Sequence, residues 1–167
     1  MQQPPLLPEE TLARVLRLAR FDGTGALLLG GMFALSAAMS GERAFAVIGL
    51  LGAAAGAIEL HGGELLKQGY VRGMNWLIAS QPFLLLVIFA YCGLRLWYFE
   101  LPPVPESFQG IFAASAQQWN MTVPEYQEAL NRLTVLAVAT VGVGFQGWMT
   151  IYYLRRRHAV IRALAVE

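Results

Sequence analysis

Residues 23–60 read GTGALLLGGMFALSAAM, then SGER, then AFAVIGLLGAAAGAIEL. Neither apolar block carries a charge before Glu59, and the link Ser40-Gly41-Glu42-Arg43 has room only for a tight turn. A connection that short joins antiparallel neighbours, so the segment is expected to form a helical hairpin. Each block would rise about 25 Å as a helix, close to the lower limit for crossing about 30 Å of hydrocarbon. Ala26, Gly30, Ala34 and Ala38 recur at every fourth position, as do Gly49, Ala53 and Ala57, with Gly52 and Gly56 beside them. Small residues on this period let helix backbones approach closely where lipid supplies no hydrophobic force between helices. Gly30, Ala34, Gly49, Gly52, Ala53 and Gly56 are therefore expected to form a packing seam.

Two further spans follow the hairpin. Residues 74–98 hold the apolar run Leu84 to Phe89, with Trp76, Trp97 and Tyr98 at the levels where aromatic rings meet lipid headgroups. Pro82 lies about two turns inside and predicts a kink with a freed carbonyl. Residues 133–154 form the fourth block, which stops at Arg155-Arg156-Arg157-His158. Between them, residues 99–130 open on Pro102, Pro103 and Pro105, and Phe108, Ile111, Phe112 and Ala116 then recur at helical spacing. Thr122-Val123-Pro124-Glu125 has the form of a capping box, so a helix is expected to start there and run on into the fourth span. At the other end, Leu12, Val15, Leu16 and Ala19 share one helical face, with Arg14 and Arg17 opposite. This pattern predicts a short amphipathic helix in residues 1–22, lying on the membrane surface. The segment lacks the basic-then-apolar order of a cleaved signal peptide and is expected to persist.

Composition agrees with this division. The 167-residue chain is 56% hydrophobic and 14% charged, with mean hydropathy +0.49, where soluble domains carry about 25% charged residues. The expected fold is an all-α integral membrane protein, an antiparallel four-transmembrane-helix bundle over residues 23–167 with a helical extracytoplasmic loop. With the N-terminus inside, the inner ends hold Arg14, Arg17, Arg20, Lys67, Arg72, Arg155, Arg156, Arg157 and Arg162, against only Arg43, Arg95 and Arg132 outside. Positive charge is retained on the cytoplasmic side, so both termini are expected there, in a bacterial inner (plasma) membrane. A net charge of +1 leaves no electrostatic footprint for nucleic acid. The single cysteine, Cys92, excludes an internal disulfide. Membrane lipids, a second copy of the chain and a further membrane subunit are the partners such a protein would meet, and homo-oligomers are the common route to a larger interior.

Three motifs bear on chemistry. Thr140-Val141-Gly142-Val143-Gly144-Phe145 is similar to the selectivity-filter motif of potassium channels, which would imply extended backbone followed by a full inner helix. Only about ten residues follow before the arginine run, too few to cross the bilayer. Gly142, with Gly144 and Gly147, is better read as a helix-packing face. At the inner end of span two, His61 and Glu64 lie three apart on any continuing helix and are weak metal-ligand candidates. A complete site needs three or four ligands, and His158 is the only other histidine. No metal or other cofactor is predicted.

The broadest pattern is a polar layer. Glu59, His61, Ser80, Gln81, Gln146 and Thr150 all fall in the inner-leaflet half of their spans, where polar groups must face protein or water. They predict a cytoplasm-facing polar cavity and a channel-like or transport-like function. A membrane enzyme acting on a lipid or lipophilic substrate, with Glu59 and His61 as acid and base, is the second reading. A structural or accessory subunit is the third.

Overall fold

The computed structural model describes residues 7–97, 101 and 104–165, and it is entirely helical over them apart from short turns and links. Its elements are α1 (Pro8–Met39), α2 (Arg43–Lys67), α3 (Gly73–Trp97), α4 (Glu106–Gln118) and α5 (Val123–Leu164). Four of these, α1, α2, α3 and α5, are long and apolar enough to cross a membrane. Tyr98, Glu100, Pro102 and Pro103, assigned above to the third span and the outer loop, lie outside the described residues.

The expected separate helix at residues 1–22 is corrected by the structure: from Pro8 onward it is the first half of α1, which runs unbroken for 32 residues. The reason is tertiary contact that local pattern does not reveal. Val15 and Ala19 are fully buried against Leu66 of α2 and Val160 of α5, so this face has protein partners and no need of a lipid surface. The helix that holds the fourth apolar block likewise outlasts it. α5 passes through Arg155–His158 to Leu164, because Val160 and Ala163 are buried on its inward side while the arginines project outward. At 32 and 42 residues, α1 and α5 measure about 48 and 63 Å, well beyond the thickness of hydrocarbon.

The small-residue seam lies between α1 and α2. A Cβ on Gly49 would stand 2.5 Å from the Ala34 nitrogen, one on Gly56 2.4 Å from the Leu27 nitrogen, and one on Gly30 2.4 Å from the Ala53 nitrogen. These are backbone-to-backbone approaches that only glycine allows. The contacts climb α1 as they descend α2, from Gly23 beside Gly56 to Ala34 beside Gly49. On α1 the seam departs from the strict four-residue spacing: Ala38 is exposed and Ala37 is buried, since a helix of 3.6 residues per turn drifts off a period of four. Gly62 and Gly73 make a similar approach between α2 and α3. Gly142 packs on Ile88, whereas Gly144 and Gly147 have nothing within 4 Å, so the expected three-glycine face is used at one position only.

The principal contacts run α1 on α2, α2 on α3, α3 on α5 and α5 on α1, leaving α2 and α5 at opposite corners. The outward surface is apolar, with Leu29, Met32, Leu50, Leu86, Leu136 and Val141 all exposed. Such a surface agrees with helices long and apolar enough to cross a membrane. α4 rests on the start of α5 through an edge-to-face contact of Phe112 with Tyr126. Thr122 and Glu125 form the reciprocal capping box that starts α5. α3 passes Pro82 without interruption, and the ring faces outward, away from the polar layer.

Candidate functional site

Four helices bring polar side chains to the centre of the molecule. Glu59 of α2 is buried, and its Oε1 accepts a 2.6 Å hydrogen bond from the Tyr153 hydroxyl of α5. Because α2 and α5 stand at opposite corners, this bond crosses the interior diagonally. From the other two corners come Asp22 of α1, one carboxyl oxygen of which is sealed from solvent, and Gln81 of α3; both lie near enough to the Glu59 carboxyl to act on it electrostatically. Gln81 is fully buried, and its Nε2 donates to Ser80 Oγ at 3.3 Å. The Ser80 hydroxyl in turn donates to the Leu77 carbonyl at 2.9 Å.

Gln146 joins from α5. Contacts of Ile88 with Gly142, Cys92 with Val135 and Arg95 with Asn131 set the register of α3 on α5. Carried three turns on from the Cys92–Val135 contact, the same register brings Gln81 level with Gln146, which is also buried. Three acceptors of this layer, Asp22 Oδ2, Gln81 Oε1 and Gln146 Oε1, are sealed from solvent and accept no hydrogen bond. Buried polar groups normally find partners, and three orphans gathered in one layer mark a place where positive charge or a donor is wanted.

Toward the helix ends that carry Lys67 and Gly73 the layer is closed. Val15, Leu66, Met74, Leu77, Met149 and Val160 pack there with no exposure. The expected cytoplasm-facing cavity lined by all six polar residues is therefore corrected. Glu59, Ser80, Gln81 and Gln146 are enclosed, His61 is exposed and stacks edge-on against Trp76, and Thr150 bonds the Gln146 carbonyl of its own helix at 2.8 Å. His61 and Glu64 instead line a separate cavity of about 330 Å³ with Arg20 and Lys67, where Glu64 pairs with Lys67 at 2.9 Å. The cause is the continuation of α1 past Asp22, which covers the polar layer with apolar side chains.

Asp22 and Tyr153 were not among the expected site residues. Asp22 follows three arginines and reads as the end of a surface helix. Tyr153 precedes another arginine run and reads as an interfacial ring. The usable signal was spacing, since Ala19, Asp22 and Gly23 share the α1 face that bears Val15. On the opposite side of the layer, a cavity of about 420 Å³ is lined by all four long helices, including Phe33, Gly52, Tyr91 and Val138. Arg95 donates from Nε to Asn131 Oδ1 at 2.8 Å.

No family model, no curated protein and no solved structure matches this chain.

Proposed function

We propose that this chain is an integral membrane protein, an antiparallel four-helix bundle with both termini cytoplasmic, that takes up and releases a proton on the Asp22–Glu59 pair in a transport-like cycle. The observation that supports this reading is a buried Glu59 near a second carboxyl, Asp22, one oxygen of which is sealed from solvent without a partner, inside a ring of apolar helices. Glu59 is buried beside a second carboxyl, and no arginine or lysine pairs with it or with Asp22 among the described residues. A proton held between them, with the Tyr153 hydroxyl fixing one oxygen, satisfies the pair. Intramembrane acidic groups without a structural ion pair serve proton relays and ion pathways in membrane proteins.

The placement of His61 outside the cluster favours this over acid–base catalysis by Glu59 and His61. Self-association belongs to the same proposal: a Cβ added at Gly144 or Gly147 of α5 would meet nothing within 4 Å among the described residues, and such a face suits close contact with a second copy. The test is reconstitution into lipid vesicles containing a pH-sensitive dye, with an imposed pH gradient in sodium and potassium salts. Proton movement above that of empty vesicles, lost in Glu59→Gln, is expected. Wild-type vesicles no more permeable to protons than empty ones would sink the reading.

A further inference from the structure

The orphaned oxygens ask for more than the shared proton can supply. A proton between Asp22 and Glu59 serves one oxygen of each carboxyl and leaves Gln81 Oε1 and Gln146 Oε1 without a donor. Both glutamines are buried, and Gln81, whose Nε2 donates to Ser80, lies near Glu59, so its unpartnered oxygen belongs to the same cluster. Two carboxyls and two amides together present six side-chain oxygens, drawn from all four long helices. Hard cations are bound by such oxygen sets when enough of them converge to replace the hydration shell.

Resting on the proton-exchange reading above, we propose that the Asp22, Glu59, Gln81 and Gln146 cluster binds a dehydrated monovalent alkali-metal cation in exchange for its proton. The charges balance: the singly protonated pair carries one negative charge, and replacing the proton by one monovalent cation leaves that charge unchanged. The proton leaves to water as the cation enters. A divalent ion suits the site less well. It gives up water reluctantly, and the described residues hold no group of three acidic, histidine or cysteine ligands. Besides Asp22 and Glu59, the titratable groups facing the site are Tyr153 and, behind it, Tyr152, both from α5, while α3 contributes only the neutral Ser80 and Gln81. Proton and cation therefore compete for the carboxyl pair alone.

The experiment uses the full chain purified in detergent with choline as the only small cation. Adding sodium, lithium or potassium chloride to a weakly buffered sample should release protons, and adding choline chloride should not. The same salts should raise the unfolding midpoint, more at high pH than at low pH, because a proton opposes the cation. Gln146→Leu removes an acceptor and no charge, and should raise the cation concentration needed by about tenfold. Identical behaviour in alkali and choline salts, a response to magnesium or calcium alone, or an unchanged response in Gln146→Leu would each overturn the proposal. The wild-type measurements decide it even where the variant fails to fold. Proton movement in vesicles that persists in choline, without any alkali-specific effect, removes the cation and leaves proton exchange standing.

Discussion

The bond from Tyr153 to Glu59 can be removed without changing the shape of either side chain. Tyr153→Phe leaves a buried carboxyl oxygen without its donor, which costs about 1–3 kcal/mol. A lowered unfolding midpoint in detergent is the expected result, and an unchanged midpoint would show that the bond does not hold the diagonal together. Asp22→Asn should act in the opposite sense on stability. It removes one of two facing carboxyls and offers Glu59 an amide donor, so the midpoint should rise while proton movement is lost. Such a trade of function for stability is the mark of a strained site. Glu59→Gln should likewise fold yet lose activity, with Gln81→Leu weaker because it removes no charge. Glu59, Ser80, Gln81 and Gln146 were legible in the sequence as polar residues inside apolar blocks. Asp22 and Tyr153 were not, since each sits beside arginines that mark a helix end, and only the burial of Val15 and Val160 carries their helices onward.

At the scale of single helices, the glycines separate into those that touch backbone and those that touch nothing. Gly49→Ala or Gly56→Ala puts a methyl within about 2.5 Å of α1 backbone and forces the two helices apart, at about 1–3 kcal/mol. Gly25→Ala meets nothing within 4 Å and should be neutral, or stabilising by up to about 1 kcal/mol through helix propensity. Equal effects from both kinds of substitution, read by thermal unfolding, would contradict the seam. At the start of α5, the backbone N–H and hydroxyl of Thr122 hold the Glu125 carboxyl below the usual carboxylate range. A depressed folded value means that the cap stabilises above the ordinary carboxylate pKa and weakens as pH falls through the lower one. Hydrogen exchange at the Tyr126 amide should therefore separate wild type from Glu125→Gln at neutral pH and converge at acid pH. The capping box was readable because it is local. The true bounds of α1 and α5 were not, because they depend on contacts between residues more than a hundred positions apart.

For the whole molecule, the arginine and lysine distribution argues that the Lys67–Gly73 turn and both ends of the chain share the cytoplasmic side. Single cysteines at Gln68 and at Ser40, in a chain with Cys92 replaced by Ser, should be labelled from opposite sides of an intact membrane. Labelling of Gln68 from outside would reverse the orientation. The α1–α2 seam carries a further consequence for motion. Where backbones touch with no side chains between them, there is nothing to rearrange, so the pair must move as a single stiff plank. Any motion that exposes the central carboxyls to one side and then the other has to pivot this plank against α3 and α5. On the proton-exchange proposal, the Glu59–Tyr153 hydrogen bond, which joins the two halves across the centre, is the latch that each swing would have to open.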